Sequence, residues 1–335
     1  MERDLKNVLS KYQAQAQPWG EPAPLGNAGG LSGSQLWRYE SGLGSLVVRA
    51  WPVDGPPPVQ LDRVHSWLRE ASRLGFIPVP IHSLDGRTYT EASGRLWEVT
   101  PWLPGEADLR RPPSLVRLRA GFVALAVFHQ SLALYRVSSP SPGILLRLDE
   151  LKSLMQGGLI RIESTLETAI EDELRSLSHT WVAAVRKLAP SLIDELTRAS
   201  SIVIERQPIL RDARPEHLLF EGNRVTGLVD FGAMGIDTVA ADLARLISEW
   251  LDPQEASLRS EAMIAYESIR PLSPDQHMLF HAMIRSTLLL GPGRWVQWHY
   301  GEGKVFNDPD AISRGLRRGM DRLTASTSAR ILTSR

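Results

Sequence analysis

The stretch Leu210-Arg211-Asp212-Ala213-Arg214-Pro215-Glu216-His217-Leu218-Leu219-Phe220, with Asp230-Phe231-Gly232 ten positions further on, decides how this chain reads. Leu218-Leu219-Phe220 and Val225-Thr226-Gly227-Leu228-Val229 are short apolar runs. Between them, Glu221-Gly222-Asn223-Arg224 has Gly and Asn where a turn needs them, so the spacing predicts a β-hairpin. Closed symmetrically on those four residues, the hairpin sets Phe220 opposite Val225 and His217 opposite Leu228, with Asp230 two residues beyond. One end of the ribbon then gathers His217 and Asp230, and Asp212 lies on the loop just before it. A hairpin standing alone would carry the same charged ends simply solvated.

The residues after the second strand add weight. Val239, Leu243, Leu246, Ile247, Trp250 and Leu251 recur at three- and four-residue steps, which predicts an amphipathic helix from Thr238 to Leu251. Asp242 falls in its first turn, where a carboxylate is favoured by the helix dipole and can accept backbone N–H groups. Asp212, Pro215, Asp230-Phe231-Gly232 and Asp242-Leu243-Ala244, in this order, resemble the aminoglycoside phosphotransferase and choline kinase-like superfamily, relatives of the protein kinases. The resemblance implies an α+β, two-lobed protein kinase-like fold: a small antiparallel-sheet N-lobe, residues 1–103, and a large, mainly helical C-lobe, residues 104–335.

The N-terminal half fits a small lobe. Gly26-Asn27-Ala28-Gly29-Gly30-Leu31-Ser32-Gly33-Ser34 is a glycine-rich turn before a strand, Gln35 to Tyr39, and a second turn, Ser41 to Gly44, leads into Leu46 to Trp51. Pairing Tyr39 with Ser45 places Arg49 opposite Gln35, beside the glycine-rich turn. Backbone N–H groups at Gly29, Gly30 and Gly33, the Ser32 hydroxyl and the Arg49 guanidinium would together suit phosphate oxygens. Leu61, Val64, Leu68, Ala71 and Leu74 mark a helix ended by Gly75, followed by strands at Thr88–Glu91 and Arg95–Thr100. By the resemblance, Pro101-Trp102-Leu103-Pro104-Gly105 corresponds to the hinge where adenine binds, which makes Trp102 a nucleotide-binding candidate. Pro56 to Pro58 reads as a stiff connector and Ser138 to Pro142 as a turn-rich loop.

Helices are further expected at Leu115–Leu134, with Phe128 and His129 in its core-facing part, at Ile160–Leu177, at Trp181–Ala199 with a break at Pro190, at Gln276–Leu290 and at Asp310–Leu323. Residues Gly291 to Tyr300 form an aromatic connector, better suited to locking two helices than to lining a cleft. His277 and His281 have zinc-pair spacing but no evident third ligand. The 38 basic and 38 acidic side chains balance, so no global field attracts nucleic acid or an anionic membrane. Zero cysteines exclude disulfides, thiolate metal sites and cysteine catalysis. The start lacks the apolar core of a signal peptide, and no apolar run approaches the roughly 20 residues of a membrane span, so a cytoplasmic protein is expected.

The resemblance implies phosphoryl transfer from ATP to a small hydroxylated acceptor. Asp212 would orient the hydroxyl and take its proton late, and Asp230 would hold Mg²⁺ or Mn²⁺ on the phosphates. Only nine residues separate Gly232 from Asp242, which leaves no room for a long protein-docking segment and favours a small-molecule kinase. The pattern departs from the family at several points. Leu210 replaces a structural His. His217 stands where the family has a metal-binding Asn, and imidazole favours Mn²⁺. Arg49 occupies the place of the phosphate-binding Lys, and the helix acid expected to pair with it falls near Val64 or His65. A second reading therefore stays open: a degenerate kinase fold that binds nucleotide or a partner without transfer. Glu249, Asp252, Glu255, Asp308 and Asp310 mark an acidic region where a cationic acceptor would fit, as they would mark an ordinary solvated surface.

Overall fold

The computed structural model describes residues 2–26, 33–170, 172–304 and 310–328. The chain divides into two compact units. The first consists of Met1–Asp108, Gln130–Leu132 and Glu216–Met234; the second of Leu109–His129, Ala133–Pro215 and Gly235–Arg335. The Asp230 hairpin therefore packs with the N-terminal sheet.

In the first unit, helix α1 (Glu2–Leu9) precedes an antiparallel sheet of β1 (Ala23–Gly26), β2 (Gln35–Ser41), β3 (Gly44–Ala50), β4 (Thr90–Ala92) and β5 (Arg95–Pro101) in the order β1-β2-β3-β5-β4. Leu5, Val8, Leu9 and Tyr12 fall on one face by helical spacing and bury themselves against Tyr39, Leu46, Val48, Trp97 and Val99. Helix α2 (Pro58–Glu70) starts at Pro58, whose fixed φ suits a first helical turn. It ends through a tight turn, Ala71–Leu74, at Gly75 with φ +72°.

The β2–β3 register differs by one residue from the expectation. Tyr39 faces Leu46 and Arg49 faces Leu36, not Gln35, because a two-residue loop closes Ser41 directly on Gly44. The Ser41 hydroxyl fixes that loop by donating to Gly44 O at 2.8 Å and accepting from Leu43 N at 3.1 Å. On its other side β3 pairs with β5, where Arg49 lies directly across from Glu98.

Strand β6 (Glu106–Ala107) joins the expected hairpin in a second, three-stranded sheet. Val225 pairs with Phe220 as expected, but a bulge at Thr226 brings Leu228 opposite Leu218, so His217 is not its partner. Thr226 is held in the bulge because its hydroxyl donates to Pro104 O at 2.7 Å. His217 instead accepts a backbone bond from Val229 N at 2.9 Å, one step nearer Asp230.

The second unit carries a sheet of β7 (Val137–Ser139), β8 (Ile204–Ile209) and β11 (Gly235–Asp237), the hairpin strands being β9 (Leu218–Glu221) and β10 (Arg224–Leu228). Part of the expected loop at Ser138 is thus an edge strand. The helices are α3 (Leu115–Ser131), α4 (Pro142–Ser153), α5 (Leu159–Thr168), α6 (Glu173–Ser200), α7 (Val239–Trp250), α8 (Ala256–Glu267), α9 (Pro274–Val296) and α10 (Ala311–Ser328). The break expected at Pro190 lies elsewhere. Asp172 caps Arg175 N at 2.8 Å and starts α6 early, and α6 then runs through Pro190, which sits on the exposed face where the carbonyl it deprives can meet water. The aromatic connector is mostly helix, since α9 extends to Val296. Its Trp295 packs so closely on α10 that a Cβ at Gly315 would lie 2.2 Å from the indole, which makes the aromatic a lock between helices.

Candidate active site

Arg49, His217 and Asp230 come together in the first unit. The Arg49 guanidinium lies 3.4 Å from Asp230 Oδ1, and His217 Nε2 lies 3.6 Å from Asp230 Oδ2. The hairpin delivers both groups, and Asp230 takes a left-handed backbone (φ +61°) that a non-glycine residue adopts at a cost of order 1–3 kcal/mol. Such strain is characteristic of side chains aimed for function rather than packing. Gly232 permits the arrangement: a Cβ there would come within 2.8 Å of the Trp51 ring. That ring in turn stacks on Arg49, with 4.8 Å from guanidinium carbon to ring centre.

Behind Arg49 lies a network that sequence patterning does not reveal. Glu98 lies 3.8 Å from Arg49 Nε and 2.8 Å from His65 Nε2, and Thr88 Oγ1 bonds His65 Nδ1 at 2.7 Å. Burial alone would raise the Glu98 carboxyl, but the hydrogen bond and charge of His65, together with the Arg49 guanidinium, outweigh it and hold the group below the usual 4.5. The helix position expected to carry an acid is thus held by His65, and the acid comes from the neighbouring strand. The missing signal is register: which residue of β5 faces Arg49 depends on how β3 and β5 pair.

Asp212 belongs to the second unit. Its Oδ1 receives Arg214 Nε at 2.9 Å and Arg245 Nη2 and Nε at 3.1 and 3.2 Å. The loop is fixed from below. Asp242, fully buried, accepts Leu210 N and Arg211 N at 2.7 Å each and His129 Nε2 at 3.0 Å. Arg211, next to Asp212, has φ +65°, so those bonds hold a turn that would otherwise relax. His129 is the satisfied core residue expected of it: Tyr266 Oη bonds its Nδ1 at 2.8 Å, and burial pushes the imidazole below its usual value although Asp242 opposes that. Leu210 packs in the core at 2 % exposure, so an apolar residue there suffices once Asp242 holds the backbone.

Of the remaining candidates, Gly29, Gly30 and Ser32 lie outside the described residues. Gly33 has φ +73°, a conformation glycine allows. Trp102 is exposed beneath Arg38 at 4.8 Å, and its backbone N–H is already donated to Ser45 O at 2.9 Å, so any adenine contact there would use another backbone group. His277 pairs with Glu267 at 2.9 Å. Among the described residues, no three His, Cys, Asp or Glu side chains cluster as a metal site. His217 and Asp230 nevertheless fit a phosphate-bound cation, which commonly takes one or two protein ligands and completes its shell with phosphate oxygens and water. Adjacent ligands of such an ion lie about 3 Å apart, close to the 3.6 Å between these two groups.

These features define a protein kinase-like fold, and solved structures agree. Aminoglycoside phosphotransferase from Alicyclobacillus acidocaldarius superposes with a TM-score of 0.65 at 15% identity, covering 97% of this chain and 95% of its own. The amicoumacin kinase hAmiN, solved in complex with AMP-PNP, Ca²⁺ and Ami, gives a TM-score of 0.59 at 14% identity, over 86% and 85% of the two chains. Residues 25–277 match the model of the phosphotransferase enzyme family, APH, and the chain belongs to that family. In sequence it is similar to the homoserine kinase of Sinorhizobium medicae, 25% identical over 219 residues, which are 63% of this chain and 60% of that protein. The chain thus spans about 60% of the length of the curated relatives it matches. No helix among the described residues is long and apolar enough to cross a membrane.

Proposed function

We propose that this chain transfers the γ-phosphoryl group of ATP to a hydroxyl of a small molecule. The acceptor oxygen bonds to the γ-phosphorus, the bond from that phosphorus to the β–γ bridging oxygen breaks, ADP leaves, and the hydroxyl proton passes to Asp212. Bound Mg²⁺ or Mn²⁺ would neutralise phosphate charge, with Asp230 and His217 as its protein ligands. Arg49 supplies a fixed cation toward the phosphates, oriented by Glu98 on one side and Trp51 on the other. Asp242 and His129 keep the Asp212 loop in one geometry, which matters because positioning and electrostatics carry most of this reaction. Gly29, Gly30, Ser32 and Gly33 would cover the phosphates, and the Trp102 segment the adenine.

The observation that carries this reading is the Arg49–Asp230–His217 cluster with a buried acid behind it. The competing view, nucleotide binding without transfer, draws on Arg49, His217 and a missing helix acid together; Glu98 supplies an acid beside Arg49, and that one ground of the three weakens. The test measures ADP release and phosphorylated product with Mg²⁺ and with Mn²⁺ over a panel of amino alcohols, hydroxy acids and aminoglycosides. Turnover that disappears in Asp212→Asn and Asp230→Asn supports transfer. A nucleotide-dependent rise in Tm with no product from any acceptor would establish the non-catalytic reading instead.

A further inference from the structure

Part of the acidity expected to receive a cationic acceptor is offset by arginines. Glu249 is divided between Arg245 at 3.1 Å and Arg318 at 3.3 Å, Glu255 is turned back to accept Asp252 N at 2.7 Å, and Asp310 lies beside Arg314 at 3.8 Å. Asp308 lies outside the described residues. Arginines dominate what remains around Asp212. Arg214 and Arg245 both converge on its Oδ1.

Arg245 is itself flanked by further cations. Burial holds Arg147 and Arg322 below the usual arginine value, against Asp237 and Glu150 for the first and Glu249 and Asp252 for the second, and the Arg245 charge adds a smaller push in the same direction as burial. Arg322 uses one nitrogen to bond Leu251 O at 2.7 Å, while its buried Nη1 has no hydrogen-bond partner. A buried guanidinium nitrogen without a partner is costly, and in a native protein it commonly awaits an anion or water. Asp237, one of two carboxylates near Arg147 with Glu150, is taken up by Ser141 Oγ at 2.7 Å and by Gly143 N and Thr238 N at 2.8 Å each.

We infer that the acceptor is an anionic alcohol, whose carboxylate or phosphate is gripped by Arg214 and Arg245 while its hydroxyl is presented to Asp212. This rests on the proposed function only in taking Asp212 as the carboxylate that faces the acceptor. Arginine forks match carboxylate and phosphate oxygens in bidentate fashion, and two of them lie within reach of one carboxylate oxygen here. Binding the acceptor's anion draws the guanidinium groups off Asp212 Oδ1 and leaves that oxygen to the hydroxyl. A cationic acceptor would have to enter past Arg214 and Arg245, which already hold Asp212 Oδ1.

The experiment uses the full chain with ADP and Mg²⁺, and titrates calorimetrically four probes: 4-hydroxybutanoate, glycerol 3-phosphate, 3-aminopropan-1-ol and kanamycin. Binding of either anion with no binding of the two amines is expected, and the preferred anion identifies carboxylate or phosphate as the group gripped. Arg245→Met should weaken that anion's binding by roughly tenfold or more, the loss of a charge-assisted hydrogen bond, and Arg245→Lys should restore part of it. ADP affinity should stay constant, which separates this effect from misfolding. Tighter binding of either amine than of both anions, no binding of any anion at millimolar concentration, or equal anion affinity in Arg245→Met overturns the inference. Anion binding without any phosphorylated product would instead overturn the proposed transfer and leave the anion site standing.

Discussion

Replacing Glu98 by Gln preserves shape and removes one charge from the centre of the Arg49 network. The carboxylate is 7 % exposed and lies 3.8 Å from Arg49 and 2.8 Å from His65. At an effective dielectric of about 20, unit charges at that longer distance attract by about 4 kcal/mol. The cost of keeping Glu98 dehydrated offsets part of this, so a net stability loss of roughly 2–4 kcal/mol is expected. For a chain of this size that lowers Tm by on the order of 3–6 °C. Arg49 would then be positioned by Asp230 and Trp51 alone, and the KM for ATP should rise by about tenfold or more. The pH dependence is the sharper check. Because the folded Glu98 carboxyl lies below its usual 4.5, its contribution is present at pH values above 4.5 and is lost as the pH falls through the folded value. Denaturant titrations should therefore show a constant gap between wild type and Glu98→Gln from pH 7 to about 5, closing at lower pH. A gap that persists unchanged into strong acid, or an unchanged Tm together with an unchanged KM for ATP, would refute the reasoning.

Other perturbations probe the remaining groups. Gly232→Ala sets a Cβ 2.8 Å from the Trp51 ring that supports Arg49, and a loss of about 1–3 kcal/mol by chemical denaturation, with a raised KM for ATP, is expected. Asp242→Ala leaves two backbone N–H groups and His129 without their acceptor, so a loss of about 3–5 kcal/mol or failure to fold is expected, read by circular dichroism and melting. His129 is held neutral by burial and has its folded value lowered, so the unfolded chain binds more protons and stability should fall as the pH drops below the usual 6.5; His129→Gln should flatten that limb of the pH–stability curve. His217→Asn should move metal preference from Mn²⁺ toward Mg²⁺ and remove the acid sensitivity that a ligating imidazole confers, as measured by metal titration followed by turnover.

Much of the site is legible in the sequence because it is local. The hairpin, the helix after it and the glycines arise from turn chemistry and from periods of two and 3.6, and they carry Asp230, His217 and Asp242 to their places within about forty residues of chain. What is not legible depends on single-residue shifts. A bulge at Thr226 and a two-residue loop after Ser41 each displace a ladder by one position, and neither is forced by composition. Glu98 is hidden because β3 and β5 are not joined by a turn, so nothing local sets the register that puts it across from Arg49. The grip of Arg214 and Arg245 on Asp212 is hidden for another reason. Arg245 is thirty-three positions away on α7, and helix spacing says which face it shares but not what that face meets.

The transfer of the acid from helix to strand changes what the Arg49 ion pair reports. In protein kinases the corresponding lysine pairs with a glutamate on a helix, so the pair forms only when that helix is in place. Here Arg49 and Glu98 are directly opposed residues of neighbouring strands, β3 and β5, and the sheet hydrogen bonds themselves set their separation. Helix α2 bonds to the network through His65, whose two ring nitrogens link Thr88 to Glu98, and packs on it through Leu61 against Trp51. Movement of α2 would therefore cost the imidazole bond and leave Arg49 paired. His65→Leu should accordingly destabilise the first unit, because a buried carboxylate loses its nearest partner, yet raise the KM for ATP less than Glu98→Gln does. Equal effects of the two substitutions on KM would mean that α2, rather than the sheet, holds the arginine, and the strand-borne pair would lose its claimed independence.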